Sequence, residues 1–355
     1  MNPAELARLG ILVALCAGGT PVAGQQPQPA KPAGARAAAD RAAHAADALA
    51  RARRAINEGR PREAIAMLDA LGDAARTPEV AHLIGVAAYH ADDHQRAIAT
   101  LTGVIDKLPA DSLERREAAQ VLGLSLFLAG RFADALPHLE ATRRWASNNM
   151  ELGYVLGQAY IQTGQADRAR EALASVFGVP PATAAAHLFA AQTMIRLQHE
   201  PLAEAELKRA IELQPDLPRA HFLLGQIALF RGRLDESAAL TQKEIAISPG
   251  DAMAFYQLGD VYVRQSNWDA AIAALQRSLW LNPFYSGPYI LLGKAYMRKA
   301  QPATAEGMLR RAIEYDPNNR TAHYLLGQLL QQTGRPEEAK REFAIAERLQ
   351  APGAR

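Results

Sequence analysis

Two histidines and two aspartates crowd the stretch from Tyr89 to His94, which reads YHADDH. Imidazole and carboxylate groups are what a protein uses to hold a divalent metal. The same stretch also fits a plain polar turn between two helices, and that reading is preferred. His187, His221 and His323 raise the question at longer range, because they occupy corresponding places in a repeated phrase. Neighbouring structural units hold such side chains far further apart than metal–ligand bonds of about 2 Å allow, so these histidines are read as packing residues. No phosphate-binding glycine loop ending in lysine and serine or threonine occurs, nor a paired-histidine zinc helix, nor a GxSxG elbow. Glu204, Glu206, Glu337 and Glu338 are scattered over helices as solvated or capping carboxylates, with no catalytic pair among them. Cys16 is the only cysteine, which excludes a disulfide framework and a multi-thiolate metal site. No catalytic residue, cofactor or metal is expected.

The chemistry that does recur is that of amides, rings and cations. Tyr154, Leu188, Phe222, Tyr256, Ile290 and Tyr324 form one column at a constant interval. Four residues further on stand Gln158, Gln192, Gln226, Asp260, Lys294 and Gln328, and four further again Gln162, Arg196, Phe230, Arg264, Arg298 and Gln332. Residues four apart on a helix share a face, so each helix would present all three. A primary amide both donates and accepts hydrogen bonds, so a line of glutamines can pair with the main chain of an extended peptide. The two later columns hold four cations (Arg196, Arg264, Lys294 and Arg298) against one anion, Asp260. That predicts a positive floor from Tyr256 to Arg298, suited to a carboxylate or an acidic segment. The competing reading of the ring column is packing between neighbouring helices.

Elements that repeat must carry these columns. Gly157, Ala191, Gly225, Gly259, Gly293 and Gly327 fall at steps of 34 residues, and so do Ala169, Ala203, Ser237, Ala271, Ala305 and Ala339. Pro181, Pro215, Pro249, Pro283 and Pro317 form a third such column. Apolar residues recur at helical spacing in each half of the unit. A small residue on each helix lets two backbones approach closely. Gly130, Gly164, Gly232 and Gly334 mark the turn between the helices, where a positive φ is needed, and the proline column ends the second helix. Ala110 to Arg115 carries a four-residue surplus, read as an extended linker or an added helical turn.

The chain resembles the tetratricopeptide repeat family. Leu156-Gly157, Tyr160, Gly164, Ala169, Leu173 and Pro181 carry the resemblance in one unit; Leu258-Gly259, Tyr262, Ala271, Leu275 and Pro283 carry it in another. His187, His221, His323, Phe255 and Tyr289 stand where that family often has tryptophan, Ala191 replaces a glycine and Ser237 an alanine. The resemblance implies an all-α, right-handed superhelical solenoid of antiparallel helix pairs, with first helices lining a concave groove. It places the three columns in that groove: Tyr154, Gln158, Gln162, Gln192, Arg196, Phe222, Gln226, Tyr256, Asp260, Arg264, Lys294, Arg298, Tyr324 and Gln328. The lysine–asparagine pair by which some relatives clamp a chaperone tail is missing.

Residues 1–24 read as a cleaved signal peptide, with an apolar core from Leu9 to Cys16 and small residues before Gln25; an uncleaved anchor and a lipoprotein signal are the alternatives. That core is too short for a membrane span of about 20 residues. Residues 25–36 read as a disordered linker rich in proline, glutamine and alanine, 37–77 as helices with a degenerate repeat, 78–350 as eight repeats and 351–355 as a tail. A net charge of +2 gives no case for nucleic acid. Together these features predict a non-catalytic scaffold, periplasmic or secreted, that grips an extended peptide or protein client. The alternative is a component of polysaccharide synthesis or export, or of envelope assembly. The last repeat, followed only by a short tail, is left open to a partner or a second copy, with Ile345 on its final helix.

Overall fold

Most repeats begin where a short polar side chain caps a helix. The computed structural model describes residues 33–72 and 77–350. Among them are eighteen α-helices and one short 3-10 segment, Ile105–Lys107, with no strand. The chain divides into two units, 1–181 and 182–355. In the first unit lie α1 (Ala33–Asn57), α2 (Pro61–Asp69), α3 (Pro78–His90), α4 (His94–Thr102), α5 (Leu113–Leu128), α6 (Phe132–Arg143), α7 (Met150–Gln162) and α8 (Ala166–Phe177). In the second lie α9 (Ala184–Arg196), α10 (Glu200–Leu213), α11 (Ala220–Phe230), α12 (Leu234–Ile247), α13 (Ala252–Arg264), α14 (Trp268–Leu281), α15 (Ser286–Arg298), α16 (Pro302–Tyr315), α17 (Arg320–Gln332) and α18 (Pro336–Arg348). Every odd-numbered helix packs against the even-numbered one that follows it. The result is a solenoid of helix pairs, as the period requires.

Thr77, Ser112, Asn149, Thr183, Asp251 and Asn319 start first helices by accepting a hydrogen bond from a backbone N–H of the first turn. Two first helices depart from this, and one of them, α15, follows Tyr285, which gives no side-chain cap. Ahead of α11, Arg219 is left-handed (φ 71°) and gives no side-chain cap. The fully buried Glu244 of α12 supplies the cap instead, accepting from Arg219 N at 2.7 Å and Phe222 N at 3.1 Å.

Within a pair the helices meet at the small-residue columns. A Cβ placed on Gly259 would fall 2.5 Å from Leu275, so the two backbones are as close as that leucine allows. Leu309, Leu326, Leu329 and Leu330 form the core of the last two pairs, with Phe343 packed on it. Leu83, Leu101, Leu122, Leu139, Leu156 and Leu173 are fully buried in the first unit.

The surplus before α5 resolves into both expected forms. The 3-10 turn and an extended Leu108 come first, and α5 then runs for 16 residues where α3 and α7 have 13. Helix α1 starts at Ala33, so the last four residues of the expected linker are helical; alanine there favours helix over coil. The expected signal peptide, the rest of that linker and the expected tail lie outside the described residues. Among the described residues no helix is long and apolar enough to cross a membrane.

Candidate binding surface

The three columns meet different fates in the two units. In the first unit His82, Val86, Gln120 and Leu124 occupy the places of the ring and amide columns, and all four are buried. Helices α3 and α5 touch directly, and apolar Val86 and Leu124 permit that approach. Gln158 follows them: only 5% of it is exposed. It is therefore not a ladder rung open to a ligand. Tyr154 and Gln162 on the same helix are half-buried.

In the second unit much of the face is open. Leu188 and Phe222 are the exceptions, 8% and 5% exposed, and at Phe222 an aromatic ring is lost to the face. The Phe222 ring is covered by the Arg219 guanidinium at 5.5 Å, so it packs and does not line a groove. Gln226 one turn along α11 is exposed, and Phe230 beyond it is 77% exposed. On α9 Gln192 is half-buried and Arg196 exposed. On α13 Tyr256 is half-buried, with its ring edge-on to Tyr285 at 5.1 Å. Burial first, and then the neighbouring Tyr285 hydroxyl, push the Tyr256 hydroxyl above its ordinary value, so it remains a neutral donor. On α17 Tyr324 is 46% exposed, against Phe343 at 5.7 Å, and Gln328 is half-buried.

The expected positive floor shrinks. Asp260 and Arg264, one turn apart on α13, pair at 3.2 Å, so Arg264 arrives largely neutralised. Lys294 is half-buried and Arg298 exposed. Among the described residues neither makes an ion pair. The unneutralised charge of this patch therefore sits on α15 alone.

Three polar constructions were not foreseen from the sequence. Arg53 of α1 donates twice to Glu117 of α5, at 2.6 and 2.7 Å, and His82 Nε2 of α3 lies 3.1 Å from the same carboxylate. Burial opposes the charge on Glu117, yet His82 and Arg53 outweigh it and hold the carboxyl at about 2. The group ties three successive pairs together. Secondly, His187 and His323 do more than fill a ring slot. His187 Nδ1 meets Glu206 at 2.6 Å, and His323 Nδ1 meets Glu342 at 2.6 Å. Both glutamates stand 19 residues after their histidine, a spacing visible in the sequence. His221 has Leu240 at that distance, and its Nδ1 is buried without a partner. Thirdly, a buried polar seam replaces part of the core around α12. Ser237 donates to Gly225 O at 2.8 Å, and Gln257 donates to Thr241 at 2.9 Å.

The YHADDH stretch folds as a turn. Asp92 is left-handed (φ 62°) and Asp93 caps α4, accepting from Arg96 N at 3.0 Å. Burial holds His90 below its ordinary value. Among the described residues no cluster of histidine, cysteine or carboxylate side chains could hold a metal ion. On the final helix Ile345 is half-buried.

Comparison with known proteins adds a family. Tetratricopeptide repeat profiles match residues 49–112, 126–193, 195–252, 254–283 and 296–351. No curated protein sequence matches the chain. Solved structures similar to it include MamA 41-end from Desulfovibrio magneticus RS-1, 21% identical over 47% of this chain and 94% of that one, with a TM-score of 0.44. YrrB, described as a tetratricopeptide repeat protein with an unusual peptide-binding site, is 21% identical over 47% of this chain and 86% of its own, TM-score 0.41. A chain of the anaphase-promoting complex hetero-tetramer Cut9-Hcn1 is 18% identical over 80% of this chain and 55% of its own, TM-score 0.43.

Proposed function

The chain belongs to the tetratricopeptide repeat family, and we propose that it is a non-catalytic scaffold that holds an extended protein segment on the first-helix face of its second unit. One observation carries the reading. Gln226, Arg298 and Tyr324 stand exposed on α11, α15 and α17, one from each of the three columns. Amides there can pair with a client main chain whatever its side chains. Arg298 and Lys294 add attraction for a carboxylate, and Tyr256 and Tyr324 add apolar contact. The leader-like residues 1–24 support work outside the cytoplasm, in the periplasm or after secretion.

The test is photo-crosslinking in the native host, with a photoreactive residue in place of Gln226 or Arg298. Crosslinks to one set of polypeptides are expected from both positions and not from Arg170 or Lys340. A Gln226→Ala/Lys294→Ala/Arg298→Ala variant of unchanged helicity should lose the client. Undiminished capture by that variant would place the client on another surface.

A further inference from the structure

The second helices of the second unit carry their own repeated cation. Arg209, Lys243, Arg277 and Arg311 recur every 34 residues on α10, α12, α14 and α16. On α10 and α16 a glutamate follows three residues later and closes a pair, Arg209–Glu212 at 2.8 Å and Arg311–Glu314 at 3.0 Å. On α12 and α14 that place is held by Ala246 and Trp280. Lys243 and Arg277 are exposed, and among the described residues neither makes an ion pair. The Arg277 guanidinium lies instead over the indole of Trp280, 4.0 Å from its centre, and 5.9 Å from the Phe255 ring.

Two rings that follow Arg277 in the chain are open to water, the second of them edge-on to Tyr315 at 5.9 Å. Trp280 is 71% exposed, and Phe284, in the turn after α14, is 75% exposed. A repeat that keeps the neighbouring arginine–glutamate pattern would show solvent a neutral ion pair here. This one shows an indole that stays 71% exposed beneath Arg277, a second ring, and two cations without a carboxylate partner. Tryptophan and arginine are the side chains that dominate the energetics of protein interfaces. The charge complement of the patch is acidic. A bilayer would call for a broader apolar face and nucleic acid for a longer run of free cations.

We propose that Lys243, Phe255, Arg277, Trp280 and Phe284 form a second docking surface, apart from the exposed rungs of the first-helix face, for an acidic protein segment carrying an apolar anchor. The anchor covers Trp280 and Phe284, and its flanking carboxylates meet Arg277 and Lys243.

The probe is a fluorescein-labelled peptide alternating glutamate with phenylalanine, titrated into the full chain by anisotropy. Saturable binding is expected, weakened at least about tenfold by Trp280→Glu, a substitution that copies Glu314 of the next repeat at an exposed position. Should Trp280→Glu lose helicity, Arg277→Gln is read the same way. In the Lys294→Ala/Arg298→Ala background, which strips the first-helix face of its free cations, the probe should still bind saturably and still weaken with Trp280→Glu, which separates this surface from that face. The proposal is overturned by the absence of saturable binding below about 1 mM, or by equal affinity in Trp280→Glu. It is equally overturned if the Lys294→Ala/Arg298→Ala change abolishes binding, or if phosphatidylglycerol vesicles or a single-stranded oligonucleotide bind in preference to the peptide.

Discussion

Glu117 shows how a single carboxylate fastens distant parts of the stack. Its partners come from α1 and α3, so the bond of Arg53 to Glu117 skips a whole pair. A carboxyl held below its ordinary value stabilises the fold above that value. The contribution is lost as pH falls through the range from 4.5 to about 2. Glu117→Gln should therefore cost about 2–3 kcal/mol at pH 7, and its stability gap to wild type should narrow through that acid range in chemical denaturation. The buried His187–Glu206 pair makes a separate case. His187→Ala breaks the 2.6 Å contact with Glu206 and opens a buried cavity, and should cost about 1–3 kcal/mol. The repeat of α13 and α14 already has Phe255 and Ala274 in these places. His187→Phe/Glu206→Ala should thus recover most of that loss in a double-mutant cycle.

At the scale of the element, the turn between paired helices is the same everywhere. Gly130, Gly164, Gly232 and Gly334 take φ between 73 and 79° there, and Asp92, Gln198, Ser266 and Ala300 take φ between 55 and 63° at the corresponding positions. An L-residue pays for that conformation and glycine does not. Ala300→Gly should accordingly stabilise the second unit by roughly 0.5–1 kcal/mol, seen as a higher urea midpoint. The glycine at these turns made the helix–turn–helix unit legible. The non-glycine turns were not, since nothing in glutamine or alanine announces a left-handed backbone. The cap of α11 was equally hidden, because its acceptor, Glu244, comes from the next helix and not from the turn before.

For the whole molecule, the exposed charges of the candidate face set a measurable behaviour. Lys294 and Arg298 lie at the surface, where salt screens their attraction. Client binding should weaken as ionic strength rises, and the slope should flatten in Lys294→Ala/Arg298→Ala. A client present at a hundred times its Kd should raise stability by about 2.7 kcal/mol, an increment that the same variant would lose.

By itself the sequence determined the all-α architecture, the pairing of helices and the family. A 34-residue period in small, apolar and turn residues admits little else, because each pair needs its neighbours to bury its core. Which column members reach water was decided only by tertiary structure. Gln158 and Gln226 are the same residue type at the same place in the repeat, one buried and one exposed. The neighbour of an Asp260 one turn away, or of a Trp280 where a glutamate was due, likewise fixes whether an arginine carries usable charge. Spacing along a chain specifies the direction of a side chain, while its accessibility depends on how closely the next helix packs.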